Sequence, residues 1–261
     1  MIIVGERINS SRQDIARAIK EKDKIPLQKE AMLQAEAGAA FIDVNCAMSM
    51  EREPEDMCWL VEVVQSAVDL PLCIDSINPA ALGEALKIHK GTAIINSITA
   101  EEKRINGMLP LVEKYNALII ALTMDEGGMP SDVKGRIKLV NEIITKANKF
   151  GISKDRIFID PLVKPISTEA DQAAAVLSSI HGIKVLGLRT ICGLSNISYG
   201  LPKRTIINAT MLTLAISAGL DAVIIDPLDK NIKAAMFATE AILGRDEYCL
   251  NFIQAVRNRS F

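Results

Sequence analysis

The chain has 261 residues, of which 49% are hydrophobic but only 4% aromatic, and 30 basic side chains nearly balance 32 acidic ones. This length suits one large domain, and the net charge of −2 argues against nucleic acid or an anionic membrane as a partner, because both attract strongly basic surfaces. Five scattered cysteines without a C-x-x-C pair indicate neither a disulfide framework nor a zinc ribbon. The sequence lacks a signal-peptide pattern and a long apolar run, so we expect a cytoplasmic protein with reduced thiols.

Eight short β-branched runs are candidate strands, and they alternate with segments of helical period. The strands are expected at 2–9, 39–45, 71–76, 92–97, 117–123, 156–162, 188–196 and 220–227. The clearest helices are expected at 27–38, 55–68, 79–90 and 135–151, with a further helix in the last segment. Glycines close the first and the last of these four helices, as a C-cap requires. Each strand and helix pair can form a right-handed crossover between parallel strands.

A polar residue stands near the end of each predicted strand. These residues are Asn9, Asn45, Asp75, Asn96, Thr123, Asp160, Asn196 and Asp226. They recur about every 31 residues, so eight units fill the chain and leave no room for a second domain. The continuous apolar strands indicate burial on both faces. We therefore predict an α/β fold, a single (β/α)8 TIM barrel over 1–261, with a doubly wound open sheet as the alternative.

The strand-end residues should converge at one mouth of such a barrel, where active sites lie. They are mostly carboxylates and carboxamides, with no histidine, lysine or cysteine at a final strand position. His89 falls late in a predicted helix and His181 in a connection before a glycine, so both are expected to be surface or helix-capping residues. A histidine base or a histidine-bound metal is therefore not expected.

Three chemistries remain open for this mouth. Asp75, Asp160 and Asp226 could converge on a metal, although no glycine-rich phosphate cradle accompanies them. A Schiff base would need a strand-end lysine, and the nearest, Lys164, is expected to be a solvated loop charge. The paired donors and acceptors of Asp and Asn suit a flat, amide-rich heterocycle such as a pterin or a purine, but any one of these residues could instead hold a loop.

Six motifs at the strand ends resemble those of the pterin-binding methyltransferases, in the order and spacing of that family. They are GERIN (5–9), IDVN (42–45), CIDS (73–76), INS (95–97), IDPL (159–162) and GLSNIS (193–198), followed by Arg204. The resemblance covers nearly the whole chain. Within the family it is closest to the methyltetrahydrofolate:corrinoid protein methyltransferases, including those that return methyl groups from demethylation systems to tetrahydrofolate.

The resemblance implies a homodimeric barrel that binds tetrahydrofolate or 5-methyltetrahydrofolate in its mouth. It also implies a separate corrinoid protein as partner, which carries the cobalamin, and no metal bound by this chain. Asp75, Asn96 and Asp160 would hold the pterin, with Asp160 at the amino-pyrimidinone edge. Asn196 would also contact the folate near N5 and act as the catalytic residue. Arg204 would lie in the region that contacts the folate or its hydrogen-bond network.

The reaction so implied moves a methyl group between N5 of the folate and cobalt. N5 is a poor leaving group unless a donor stabilises it during the attack of cobalt(I), and a positioned donor contributes roughly 10² to 10⁴-fold. Because a carboxamide cannot give up a proton at neutral pH, Asn196 is expected to be an orienting donor, with water as the proton source. In the reverse direction, N5 attacks methyl-cobalt(III).

Two alternative functions remain open, and one loop of this chain departs from the family pattern. A dihydropteroate synthase would carry a glycine-rich loop after the IDP-like strand, whereas this chain reads PLVKP (161–165). A folate-binding or corrinoid-docking module without catalysis would keep the pocket but not turnover. The departure lies after GLSNIS, where relatives with a glutamine-containing loop differ from the YGLPK (199–203) of this chain.

Overall fold

Eight parallel strands close into a barrel in chain order in the computed structural model, which describes residues 1–47 and 50–261. The strands are β1 (Ile2–Asn9), β2 (Phe41–Asn45), β3 (Leu72–Asp75), β4 (Ile94–Ile98), β5 (Leu118–Leu122), β6 (Ile157–Asp160), β7 (Arg189–Gly193) and β8 (Ala222–Ile225). The ring closes where β1 pairs with β8, from Ile2 opposite Ala222 to Gly5 opposite Ile225. The predicted (β/α)8 barrel is confirmed.

Helices surround the barrel. Those in the described part of the chain are α1 (Gln13–Glu21), α2 (Lys24–Glu36), α3 (Glu53–Gln65), α4 (Pro79–Ile88), α5 (Glu102–Lys114), α6 (Val133–Lys149), α7 (Gln172–Val185), α8 (Arg204–Ala218), α9 (Lys230–Ile242) and α10 (Leu250–Arg257). Gly38 and Gly151 follow α2 and α6 with φ of 94° and 75°, as predicted for helix ends. Among these described helices, none combines the length and apolar character needed to cross a membrane.

Strand alternation separates two apolar layers. Ile74, Ile95 and Ile159 belong to the layer packed beneath the helices, whereas Cys73, Ile94 and Phe158 belong to a separate buried cluster with other strand residues. Since successive side chains of a strand point to opposite faces, the second set points into the barrel. By the same alternation, the residue two positions after each member of the second set also points inward, at the mouth of the barrel. Those residues are Asp75, Asn96 and Asp160.

Three local predictions differ from the structure or become sharper. Asn196 does not end a strand, because β7 stops at Gly193 and Asn196 lies in a 3₁₀ turn, Leu194–Ser198. His181 lies inside α7, where it is exposed, and not in a connection. His89 is the C-cap residue of α4, and its Nε2 accepts a 3.0 Å hydrogen bond from the backbone N–H of Leu72.

Candidate active site at the barrel mouth

A cavity of about 660 Å³ opens at the carboxyl ends of the strands. Four of the five predicted site residues line it, namely Asp75, Asn96, Asn196 and Arg204. The fifth, Asp160, is buried at the end of β6, and it adjoins the cavity through the backbone N–H of Gly193, which lines the cavity and donates to the Asp160 carboxylate. The volume is in the range of small-molecule sites.

Asp75 is oriented by a chain of hydrogen bonds from Asn45 on β2 and from Ser10, which directly follows β1. The Asn45 Nδ2 donates to Asp75 Oδ2 at 3.0 Å, and Ser10 Oγ donates to Asn45 Oδ1 at 2.7 Å. Burial raises the pKa of Asp75, and the hydrogen bond from Asn45 opposes that rise. A carboxylate fixed in this way presents acceptor atoms to a ligand without reorganisation.

Asp43, which was not among the residues predicted from the sequence, lies beside this group. Asn96 Nδ2 donates to Asp43 Oδ1 at 3.3 Å, which fixes the carboxamide of Asn96. Burial and the charge of Asp75 raise the pKa of Asp43 well above its ordinary value. The signal was available, because Asp43 lies within the IDVN motif and shares its inward strand face with Asn45.

Asp160 is a buried carboxyl held by backbone donors. The N–H of Leu162 donates to Asp160 Oδ1 at 2.7 Å, from a residue with φ of 62° that turns the chain back on the carboxylate. Burial raises the pKa of Asp160 to about 6, against the N–H groups of Leu162 and Gly193 and the charge of Arg136, which lower it. At neutral pH most of Asp160 is therefore ionised, and it can accept N–H groups from an amide-like heterocycle.

The turn that carries Asn196 is held from two sides. Ser195 Oγ donates to Glu6 Oε1 on β1 at 2.6 Å. Arg204, the first residue of α8, donates from Nη2 to the Ser195 carbonyl at 2.5 Å and from Nε to Ser198 Oγ at 2.9 Å. Arg204 therefore supports the turn that positions Asn196. Burial raises the pKa of Glu6. Glu6 belongs to the GERIN motif, but it was not among the residues predicted from the sequence.

The remaining candidate groups have structural partners. Arg7 forms ion pairs with Glu30 and, at 2.6 Å, with Asp226. Lys164 pairs with Glu169 at 2.9 Å on a half-exposed loop, as expected for a solvated charge. Within residues 1–47 and 50–261, no three or more His, Cys, Asp or Glu side chains are grouped so that they could hold a metal ion.

This fold and mouth define the class of protein. The chain belongs to the pterin binding enzymes, since the model of that family matches residues 5–226. It is 36% identical to the methylcorrinoid:tetrahydrofolate methyltransferase of Eubacterium limosum, over 98% of this chain and 96% of that protein. The family resemblance inferred from the six motifs is confirmed.

Two further comparisons show similarity to more distant proteins. The methionine synthase of Mycobacterium leprae is 28% identical over 86% of this chain, which corresponds to 20% of that protein. The dihydropteroate synthase of Xanthomonas albilineans, solved with 7,8-dihydropteroate, superposes with a TM-score of 0.72 over 93% of both chains at 19% identity. The latter similarity is one of fold.

Proposed function

We propose that the protein is a methyltransferase that moves a methyl group between N5 of tetrahydrofolate and the cobalt of a corrinoid protein. The observation that carries this proposal is the convergence of Asp75, Asn96 and Asn196 on one cavity beside the buried carboxylate of Asp160. The near full-length similarity to a methylcorrinoid:tetrahydrofolate methyltransferase supports it. The corrinoid is a substrate carried by the partner protein, and this chain supplies the folate site.

The folate would bind through its pterin. In this proposal Asp160 accepts two parallel N–H bonds from the amino-pyrimidinone edge, and Asp75 and Asn96 contact the other polar atoms of the ring. Such a site selects strongly, because an analogue without the N–H groups leaves a buried acceptor unpaired. Arg204 contributes by holding the turn, and not through a direct contact that the proposal requires.

The transfer step is a direct displacement. The electron pair of cobalt(I) attacks the methyl carbon, the N5–carbon bond breaks with its electron pair on N5, and a proton from water joins N5. Asn196, exposed in the mouth, is the orienting donor that stabilises N5 as the charge develops. In the reverse direction, the N5 lone pair attacks the methyl group of methyl-cobalt(III), cobalt(I) leaves with the bonding pair, and N5 returns its proton to water.

Dihydropteroate synthase chemistry is less well supported. The solved synthases share the fold at 19% and 18% identity. Similarity at this level supports the fold but no inference about activity. This chain has Pro161 through Pro165 directly after β6, where a glycine-rich loop would be expected in that enzyme. The mouth and the full-length relative favour methyl transfer.

We further propose that the chain works as one domain, in the cytoplasm, as a homodimer. Exposed apolar side chains on three neighbouring helices support self-association: Leu214 on α8 is 46% exposed, Ile242 on α9 is 83% exposed and Ile253 on α10 is 40% exposed. Light scattering should give twice the mass of the chain. A monomer at micromolar concentration would contradict the homodimer and leave the transfer proposal untouched.

Asn196→Ala tests the catalytic role. We expect the single-turnover rate of methyl transfer to fall by roughly 10²-fold, while the Kd for 5-methyltetrahydrofolate changes little, because the donor acts mainly in the transition state. Asn141→Ala, at an exposed position on α6, is the matched control. Equal losses of rate and affinity in Asn196→Ala would contradict the proposed role.

A further inference from the structure

One wall of the mouth cavity is built by β1 and the loop that follows it. Glu6, Arg7 and Asn9 line the cavity from the strand, and Ser11 and Arg12 line it from the loop. None of these five residues is needed to hold the pterin in the proposed site. This wall can therefore contact another part of the ligand.

The loop after β1 is anchored beside the predicted pterin contacts. The Ser10 N–H donates to the Asn45 carbonyl at 3.1 Å, and Ser10 Oγ donates to Asn45 Oδ1 at 2.7 Å. Asn45 in turn donates to the Asp75 carboxylate at 3.0 Å. Arg12 follows two residues after Ser10, and its Nη1 donates to the Arg7 carbonyl at 3.0 Å. These contacts fix a cation at the rim of the cavity.

Arg12 keeps donors for a ligand. Its side chain is 33% exposed, Nη2 donates to the exposed Asp14 at 2.8 Å, and Nη1 lies 3.5 Å from a carboxylate oxygen of Glu30. A guanidinium carries five N–H groups, and the hydrogen bonds of Arg12 to described residues use two of them. The pair with Asp14 faces water and is weak, so a ligand carboxylate can join it or replace it.

Two other arginines line the cavity in the described part of the chain, and both hold protein groups. Arg7 pairs with Glu30 and, at 2.6 Å, with Asp226. Arg204 donates to a carbonyl and a hydroxyl of the turn after β7. Arg12 is thus the cavity arginine whose charge is best placed for an anionic group of a ligand.

The order of the strands decides which end of a bound folate faces this loop. In a closed ring of eight strands, β2 lies opposite β6, and β1 is a neighbour of β2. A pterin whose amino-pyrimidinone edge is held by Asp160 on β6 would turn its other end toward β1, β2 and β3. That end bears C6, to which the p-aminobenzoyl-glutamate tail of a folate is attached. The tail would therefore leave the cavity past Arg12.

We propose that Arg12 binds the glutamate carboxylates of the folate tail and so makes the protein select folates over pterins that lack the tail. Glu6 and Asp75 line the cavity from within their strands, and their negative charge disfavours the tail there. The rim at Arg12 offers the opposite charge. This inference rests on the proposed function, because the direction of the tail assumes that Asp160 holds the pterin.

The test compares tetrahydrofolate with 6-methyltetrahydropterin, which has the same reduced ring but lacks the tail. Titration calorimetry gives both Kd values for the wild type, Arg12→Met and Arg12→Lys. We expect Arg12→Met to weaken tetrahydrofolate binding roughly 10-fold, because a charge-assisted contact is lost, and to leave 6-methyltetrahydropterin binding unchanged. Arg12→Lys should retain most of the affinity for tetrahydrofolate. Salt at about 0.5 M should reduce the effect of Arg12→Met, because the contact is exposed to water.

Lys164→Met is the matched control. Lys164 also pairs with a carboxylate, Glu169 at 2.9 Å, but it follows β6, on the side from which the tail leads away. Lys164→Met should therefore bind both ligands as the wild type does. The titrations contain no corrinoid protein, so a contact between Arg12 and that partner cannot affect them. Unchanged tetrahydrofolate binding in Arg12→Met, or an equal loss for both ligands, would overturn the inference.

The ligand without a tail separates this inference from the proposal on which it rests. If the wild type binds both ligands and Arg12→Met shows no loss specific to tetrahydrofolate, the pterin site stands and only the role of Arg12 is wrong. If the wild type binds neither ligand, the proposed folate site is wrong, and the role of Arg12 is wrong with it.

Discussion

Ser195 donates a 2.6 Å hydrogen bond to Glu6 and thereby joins the turn after β7 to the first strand of the barrel, 189 positions away in the chain. Asn196 directly follows Ser195, and Arg204 holds the same turn through the Ser195 carbonyl. Contacts from β1 and α8 therefore fix the turn of Asn196 before any ligand binds. Preorganisation of this kind is what a donor to the developing charge on N5 requires.

Ser195→Ala should impair transfer more than binding. The substitution removes the hydrogen bond to Glu6, and the less constrained turn should lower the single-turnover rate by roughly 10-fold or more. The Kd for 5-methyltetrahydrofolate should change by much less, because Asp75, Asn96 and Asp160 lie on other strands. Ser217→Ala, at an exposed position on α8, serves as the control. Unchanged kinetics in Ser195→Ala would show that the contact does not position Asn196.

Gly5→Ala should destabilise the barrel. A Cβ at Gly5 would lie 2.3 Å from Gln34 Oε1, which also accepts a 3.1 Å hydrogen bond from the N–H of Arg7. Because Gln34 is fully buried, its carboxamide has little room to move, and we expect a loss of about 1–3 kcal/mol in the free energy of unfolding.

Urea denaturation measures this loss, with Gly83→Ala as the matched control. A Cβ at Gly83, in α4, would find its nearest neighbour at 3.8 Å, an ordinary contact. Alanine also favours a helix over glycine, so Gly83→Ala should be neutral or stabilising. Equal unfolding free energies for Gly5→Ala and the wild type would refute the steric argument.

Asp160→Asn should stabilise the ligand-free protein at neutral pH. Burial raises the pKa of Asp160 from 3.8 to about 6, so ionisation is less favourable in the folded state than in the unfolded state. Such a carboxyl lowers stability as pH rises from about 4 to about 6. Removing it should increase the free energy of unfolding by up to about 3 kcal/mol at pH 7, and by little at pH 4.

Denaturant titrations at both pH values measure this effect. A gain at pH 7 together with weaker folate binding would mean that the site keeps a destabilising charge for the sake of its ligand. An equal difference in unfolding free energy between Asp160→Asn and the wild type at pH 4 and pH 7 would contradict the raised pKa of Asp160, because such a difference could not come from ionisation of Asp160.

Much of this mouth follows from the sequence because its residues end regular strands. Asp75, Asn96 and Asp160 each stand two positions after an inward apolar residue, so the strand period alone directs them into the barrel. Asp43 obeys the same rule, but it lies two residues before the end of β2, and only the strand-end residue Asn45 was predicted. Asn196 lines the cavity, but it was placed in a strand although Gly193 and Ser195 just before it are residues typical of turns, and the strand in fact stops at Gly193.

Other features depend on packing that sequence patterns do not encode. Arg136 lies near the start of a helix with several basic residues, where a solvent-exposed side chain would be the ordinary expectation. Its burial results from the chain segments at Pro130 and Gln172 that enclose it. Helix α1 was missed although its buried Ile15, Ala18 and Ile19 follow the i, i+3, i+4 spacing of an amphipathic helix, because its nine residues are fewer than the roughly 11–18 over which such a period is read.

The most direct test of the central claim is the absorption spectrum of cobalamin reduced to cobalt(I) and mixed with the protein and 5-methyltetrahydrofolate. We expect the cobalt(I) spectrum to convert to that of methylcobalamin, and Asn196→Ala to slow the conversion by roughly 10²-fold. An unchanged cobalt(I) spectrum, even when a competent corrinoid protein replaces free cobalamin, would contradict methyl transfer by this protein.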